Sequence, residues 1–323
     1  MSSSRSGRRG KAATFPAALP RGRTVQVRAA DGIRLHTRVF GPPGGYPIVL
    51  SHGIVCAIRV WAYQIADLSR DYRVIAFDHR GHGRSGMPGR GGYTLAHLAS
   101  DLDAVLEATL EPGERAVLAG HSMGGIAIAA WSDRYRHKVT QHADAVALIN
   151  TTTGELLRHL NLLPVPRQLG LARVLAARSL IASLGSVPLP TVVHRPTREL
   201  VKMMAVGADA DPRAGAFIHE LFAATPPAGR GGCGKMLATA LGAQHIDLSG
   251  LAVPTLVIGS EGDRLTPISQ ARRIAGAAPN LAGLIELSGG HCSMLERPAE
   301  VNQALRALAS SVTGSGERRR ASS

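Results

Sequence analysis

A serine between glycines, Gly120-His121-Ser122-Met123-Gly124, an aspartate at Asp263 and a histidine at His291 are the residues whose types and settings could do chemistry together. A serine hydroxyl is a poor nucleophile at neutral pH. It needs a base within hydrogen-bond reach, and the base needs an acid to orient it. The serine sits in "RAVLAGHSMGGIAIAAW", where an apolar strand-like run stops and a small-residue helix begins at once. G-x-S-x-G in that context predicts a sharp turn that lifts the hydroxyl out of the backbone. Gly120 and Gly124 then lack side chains so that strand and helix can approach. The Met123 N–H, at the helix N-terminus, becomes a donor for a developing oxyanion. Asp263 ends the apolar run "VPTLVIGSEGD", and His291 follows the next run in the glycine-flanked loop of "GLIELSGGHCSMLERP". Glu261, two positions before Asp263, competes for the acid's role.

The elements that must position these groups follow from hydrophobic pattern. "TVQVRAADGIRLHTRVFG" alternates around Asp31-Gly32 and reads as a hairpin. "YPIVLSHG", "YRVIAFDHRG", "RAVLAGHS", "DAVALIN" and "VPTLVIGSEGD" are continuous apolar runs, as a parallel sheet covered on both faces requires. Leu95, Leu98, Leu102, Val105 and Leu106 form a helical stripe between two of them, and Val301, Leu305 and Leu308 form another behind Pro298. Strand alternating with helix predicts a doubly wound α/β fold with a mostly parallel central sheet flanked by helices. The alternation breaks after Asn150. Residues 155–250 are rich in Leu, Ala and Pro, include helical stretches such as "GLARVLAARSLIASL", and read as a helical cap or lid over the crevice at the strands' carboxyl ends.

The segments "LSHG", "DHRGHGRSG", "GHSMGG", "GSEGDRLTP" and "GGHCSMLERP" together resemble the α/β-hydrolase superfamily, over about residues 24–312. The resemblance implies a Ser-Asp-His triad of Ser122, Asp263 and His291, with "DRLTP" favouring Asp263 over Glu261. It implies that Ile54, in the loop opened by His52 and Gly53, gives the second oxyanion N–H. In some relatives the acid follows the preceding strand, where Asn150 and Thr151 stand here; neither can replace a carboxylate. Epoxide hydrolases and haloalkane dehalogenases share the fold but carry an aspartate at the elbow, which Ser122 argues against. His121 is expected to pack beneath the nucleophile, and His79 and His82 to belong to a structural turn. His52 is read as a hydrogen-bonded loop support, Asp247 as structural, and Cys292 as a neighbour of the base.

Composition narrows the rest. The chain has 323 residues and a net charge of +14. Residues 1–23 hold six Lys/Arg and no acid, and "GSGERRRASS" at the end holds three Arg against one Glu, so the tails carry more than half of the charge. They are expected to be disordered and to touch anionic lipid weakly at most; the body lacks the aromatic interleaving of a single-strand binder, and no specific nucleic acid is expected. No apolar run is long enough for a transmembrane segment, and the N-terminus lacks the apolar region of a secretion signal. Three scattered cysteines suit a reducing, cytoplasmic setting. No metal-ligand spacing and no phosphate loop occurs, so no metal or cofactor is expected. The expected organisation is a basic tail (1–23), a first core part (24–154), the cap (155–250), a second core part (251–312) and a basic tail (313–323). The expected function is hydrolysis of a small carboxylic ester with an apolar acyl group. Acyltransferase, perhydrolase or carbon–carbon bond hydrolase activity on the same site stays open, as does a ligand-binding protein with little turnover.

Overall fold

The computed structural model describes residue 15 and residues 18–159, 194–242 and 244–320. A hairpin of β1 (Gly22–Arg28) and β2 (Arg34–Phe40) leads into β3 (Pro47–Ser51), a 3-10 turn at Ile58–Trp61 and α1 (Ala62–Leu68). There follow β4 (Arg73–Phe77), α2 (Leu95–Thr109), β5 (Ala116–His121), α3 (Met123–Arg134), α4 (Arg136–His142) and β6 (Ala143–Ile149). Between β6 and the next strand, the described residues form only helices: α5 (Leu156–His159), α6 (His194–Ala205), α7 (Pro212–Ala224) and α8 (Pro227–Ala240). The chain then completes β7 (Thr255–Ser260), α9 (Ile268–Ala277), β8 (Leu281–Leu287), α10 (Ser293–Glu296) and α11 (Pro298–Arg320).

The eight strands make one sheet in the order β1-β2-β4-β3-β5-β6-β7-β8. β1, β2 and β4 pair antiparallel in turn, and every pairing from β4 through β8 is parallel. The apolar runs do not alternate because both faces are covered. Ile48, Leu50, Val117 and Ala119 face a core completed by α1 and α11, whereas Val49, Leu118, Val146 and Val257 face α2, α3 and α9. Each of these Val, Leu and Ile side chains contributes about 1.5–3 kcal/mol by leaving water. On α2, Leu98, Leu102, Val105 and Leu106 are buried, and on α11 so are Val301, Leu305 and Leu308.

The chain leaves β3 toward β4 on one side and returns to pair β5 on the other. That reversal opens a crevice beyond the carboxyl ends of β3 and β5, where such sheets bind ligands. The loop opened by His52 and the serine turn therefore meet at one place.

Two boundaries differ from expectation. β1 begins at Gly22, because β2 offers a pairing partner as far as Phe40, and Phe15 stacks edge-on against Tyr63 and Phe217 at 5.9 and 6.3 Å. At the other end α11 continues to Arg320 instead of giving way at residue 313, since a helix already anchored by packing propagates through residues that would not start one. The helix expected over "GLARVLAARSLIASL" lies outside the described residues. Among the described residues no helix is long and apolar enough to cross a membrane.

Two glycine substitutions should diverge. A Cβ at Gly124 would run into the Ser51 carbonyl of β3, so Gly124→Ala should cost on the order of 3 kcal/mol in urea unfolding. A Cβ at Gly276, in α9, meets nothing within 4 Å, and Gly276→Ala should gain up to about 1 kcal/mol.

Candidate active site

β5 ends at His121 and α3 starts at Met123, which leaves Ser122 alone to turn the chain, at φ 52° and ψ −120°. A non-glycine residue there costs about 1–3 kcal/mol and persists only if its surroundings hold it. Here the Ser122 N–H donates to Ile149 O at 3.0 Å, and its carbonyl accepts from the Thr151 hydroxyl at 2.7 Å and from Ile126 N–H at 3.1 Å. A Cβ at Gly120 would lie 2.5 Å from Gly124 O, and one at Gly125 would lie 2.8 Å from the Thr151 side chain. One at Gly53 would lie 3.1 Å from Ser122 Cβ, so the loop after β3 runs directly against the serine.

Asp263 lies in the loop after β7, buried, with both oxygens occupied. Oδ1 accepts from Leu265 and Thr266 N–H, each at 2.8 Å. Oδ2 accepts from the Thr266 hydroxyl at 2.7 Å, from Asn150 Nδ2 at 3.0 Å and from His291 Nδ1 at 2.8 Å. Burial alone would push this carboxyl up, but His291 and the convergent donors outweigh it and leave the group below its ordinary value. With Nδ1 on the carboxylate, the imidazole turns Nε2 away from Asp263.

The loop after β8 that carries His291 is held from several sides. His121 Nε2–H donates to His291 O at 2.9 Å, Cys292 N–H donates to Ala205 O at 3.0 Å, and Ser293 Oγ–H donates to Asn150 Oδ1 at 2.6 Å. The Glu296 carboxylate accepts from Gly290 N–H at 2.9 Å and from Gly207 N–H at 2.8 Å, tying this loop to the end of α6.

The loop from His52 to Cys56 rests on buried histidines. His52 Nδ1–H donates to Gly53 O at 2.7 Å, and its Nε2 accepts from His79 N–H at 3.1 Å. Val55 stands at φ 54°, an unfavourable setting for a β-branched residue, and its N–H donates to His82 Nε2 at 3.0 Å. His82 Nδ1–H in turn donates to Arg80 O at 3.0 Å. Burial lowers His52 to about 3 and His82 to about 4, and lowers His79 well below its ordinary value. These rings are therefore neutral supports, and backbone partners fix the tautomers of His52 and His82. His121 is lowered to about 3 for the same reason.

The structure thus brings Asp263 and His291 into contact and sets the Ser122 turn against the Gly53 loop. Glu261 is exposed and stays outside this network. Asp247 pairs with Arg136 at 2.6 Å on the surface, and burial pushes the Cys292 thiol well up, so neither competes. Sequence reasoning passed over Thr266, Ser293 and Glu296, and it weighed Asn150 only as a missing carboxylate. Ile54 and Met123 pack in an apolar cluster with Leu156, Ile126, Met236, Leu237 and Leu241, so the inserted helices lie against the elbow. Of the residues that the sequence of the inserted segment offers as walls of an apolar acyl pocket, Leu156 joins this cluster and Leu157 is buried, whereas Leu160, Leu162, Leu163, Leu171, Leu175 and Ile181 lie outside the described residues. Among the described residues no group of three or more His, Cys, Asp or Glu could hold a metal ion.

The sheet order, the strained serine turn and the acid and histidine loops after β7 and β8 define an α/β-hydrolase architecture. The chain belongs to the alpha/beta hydrolase fold family, whose model matches residues 46–298. The protein named "Putative carbamate hydrolase RutD" of Pseudomonas syringae is 29% identical over 270 residues, 81% of this chain and 93% of its own length. A non-heme chloroperoxidase of Streptomyces lividans is 39% identical over 109 residues, which span 33% of this chain and 38% of the chloroperoxidase. Among solved structures, an enol-lactonase of Burkholderia xenovorans superposes with a TM-score of 0.66 at 26% identity, over 88% of this chain and 99% of that one. An esterase of Thermogutta terrifontis superposes at 0.69 over 91% of this chain and 99% of that one, a likeness of fold at 23% identity.

The buried histidines dictate a pH response of stability. Each is neutral when folded and takes a proton near 6.5 when unfolded, so stability is complete above that pH and is lost as the pH falls toward the folded values of about 3 to 4. One such group forfeits about 2 kcal/mol by pH 5. Asp78, which burial pushes up to about 6, opposes this by taking a proton in the folded state. The urea-unfolding free energy should therefore drop by several kcal/mol between about pH 7.5 and pH 5. A flat profile would contradict neutral burial.

Proposed function

We propose that the protein is a serine hydrolase of carboxylic esters, acting through an acyl-enzyme on Ser122. The observation that carries this reading is the 2.8 Å bond between His291 Nδ1 and Asp263 Oδ2, together with a serine held at positive φ whose neighbour His121 is hydrogen-bonded to the His291 carbonyl. Ser122 Oγ attacks the ester carbonyl carbon and gives its proton to His291 Nε2. The imidazolium, held by Asp263, passes that proton to the departing alcohol oxygen. A water then loses a proton to His291 and attacks the acyl carbon, and the serine oxygen leaves with that proton. The Ile54 and Met123 N–H groups receive the oxyanion, at about 3 kcal/mol of barrier each. These are backbone roles, so replacing either side chain should matter far less than replacing Ser122.

The acyl group is small and apolar in this reading. Its support is the cluster of Ile54, Met123, Ile126, Met236 and Leu237, where the inserted helices act as a cap over the elbow. The three cysteines, all free and buried, fit a reducing cytoplasmic setting. A carbamate substrate is the second reading, favoured by the relative named for carbamate hydrolysis, whose match runs through most of both chains. The same serine would attack a carbamate carbonyl.

Ser122→Ala should lose fluorophosphonate labelling and at least about 1000-fold of kcat on p-nitrophenyl butyrate, with the fold intact by circular dichroism. Across an acyl-chain panel, rates should peak at short to medium esters. A carbamate panel turned over faster than every ester would favour the second reading. Wild-type protein that neither labels nor turns over any of these substrates would remove both.

A further inference from the structure

The residue that follows β6 is one that no carboxylate-based reading uses. Asn150 adopts φ 42°, is 1% exposed, and donates its N–H to Ile258 O at 2.8 Å, which pins its backbone to β7. Its amide nitrogen reaches Asp263 Oδ2 and Ser260 Oγ, each at 3.0 Å. Its amide oxygen accepts the Ser293 hydroxyl at 2.6 Å, two residues beyond His291. The orientation is determined by its partners, since a flipped amide would set its oxygen against the Asp263 carboxylate. One side chain thus joins the acid's loop to the base's loop, and every contact is shielded from water.

From this geometry we infer that Asn150 is a positioning residue for the Asp263–His291 pair. Resting on the triad reading above, the inference assigns Asn150 two tasks. Its N–H donor takes up one lone pair of Oδ2, so that this oxygen faces His291 Nδ1 in a fixed direction. Its carbonyl, through Ser293, sets the distance between the β7 and β8 loops. Thr266 shares the first task, because its hydroxyl reaches the same oxygen at 2.7 Å and lies 3.3 Å from His291 Nδ1. It makes no link to Ser293, so the second task falls to Asn150. The groups that feel the Asp263 charge are His291, in direct contact, with His121 packed on His291 and Cys292 beside it.

The inference separates from a plain structural role by kinetics. Asn150→Ala and, from the other side of the amide, Ser293→Ala should each lower kcat on p-nitrophenyl butyrate, Asn150→Ala by about tenfold, with KM within about twofold. Asn150→Asp should set a second carboxylate against Asp263 and raise the midpoint of the acidic limb of kcat/KM by about one pH unit, because added negative charge favours the imidazolium. All three variants and Asp263→Asn are compared with wild type for thermal midpoint and for turnover between about pH 5 and pH 9. Lower thermal midpoints with unchanged kcat and an unmoved limb, while Asp263→Asn abolishes turnover, would overturn the positioning role alone. Full turnover in Asp263→Asn would overturn the acid assignment and this inference with it.

Discussion

The backbone of Ser122 is the constraint on which the rest depends. At φ 52° it turns the chain within one residue, so the strand can end and the helix begin without an intervening loop. That turn presses Gly120 against Gly124, Gly124 against Ser51 and Gly125 against Thr151, and each contact tolerates only hydrogen at the glycine Cα. The strain is of the size of a few hydrogen bonds, and the bonds that offset it come from the end of β6, through Ile149 O, and from the Thr151 hydroxyl just beyond it. The parallel pairing of β5 with β6 is therefore what holds the serine in its conformation.

A second economy lies under the loop after β3. Four histidines, at 52, 79, 82 and 121, are buried near the crevice and kept neutral by desolvation. A neutral imidazole both donates and accepts, and buried polar groups that find partners fix their neighbours' geometry. His82 accepts from the strained Val55, and His121 donates to the carbonyl of His291. The same residue type thus frames both loops that flank Ser122. The Asp263 carboxyl differs by being kept charged: His291 and the convergent N–H and O–H donors hold its pKa below the ordinary value despite burial.

Much of this was legible in the sequence, for reasons tied to particular residues. Continuous apolar runs of strand length, bounded by turn residues, fit strands covered on both faces, and the stripe from Leu95 to Leu106 fits a helix packed on a sheet. Glycines two positions either side of Ser122 marked the turn, and the loops after two late strands marked Asp263 and His291. What escaped was the support for those groups. Asn150, Thr266, Ser293 and Glu296 are ordinary polar residues, and their importance arises from distances across the fold that local spacing does not encode. Asn150 and Asp263 are 113 positions apart in the chain yet share a hydrogen bond. The boundaries of the tails escaped for a similar reason: Phe15 is ordered by Tyr63 and Phe217, and neither contact is visible from the composition around it.

The central claim is that Ser122 carries the acyl group between two half-reactions, and that claim can be tested on the covalent intermediate itself. Rapid mixing of wild-type enzyme with excess p-nitrophenyl butyrate, acid quenching within the first turnover and peptide mass analysis would read it directly. The account predicts one butyryl group on the peptide containing Ser122, formed with an equal burst of p-nitrophenol and absent in Ser122→Ala. Turnover at full rate in Ser122→Ala, or an acyl group found on a different residue, would contradict it.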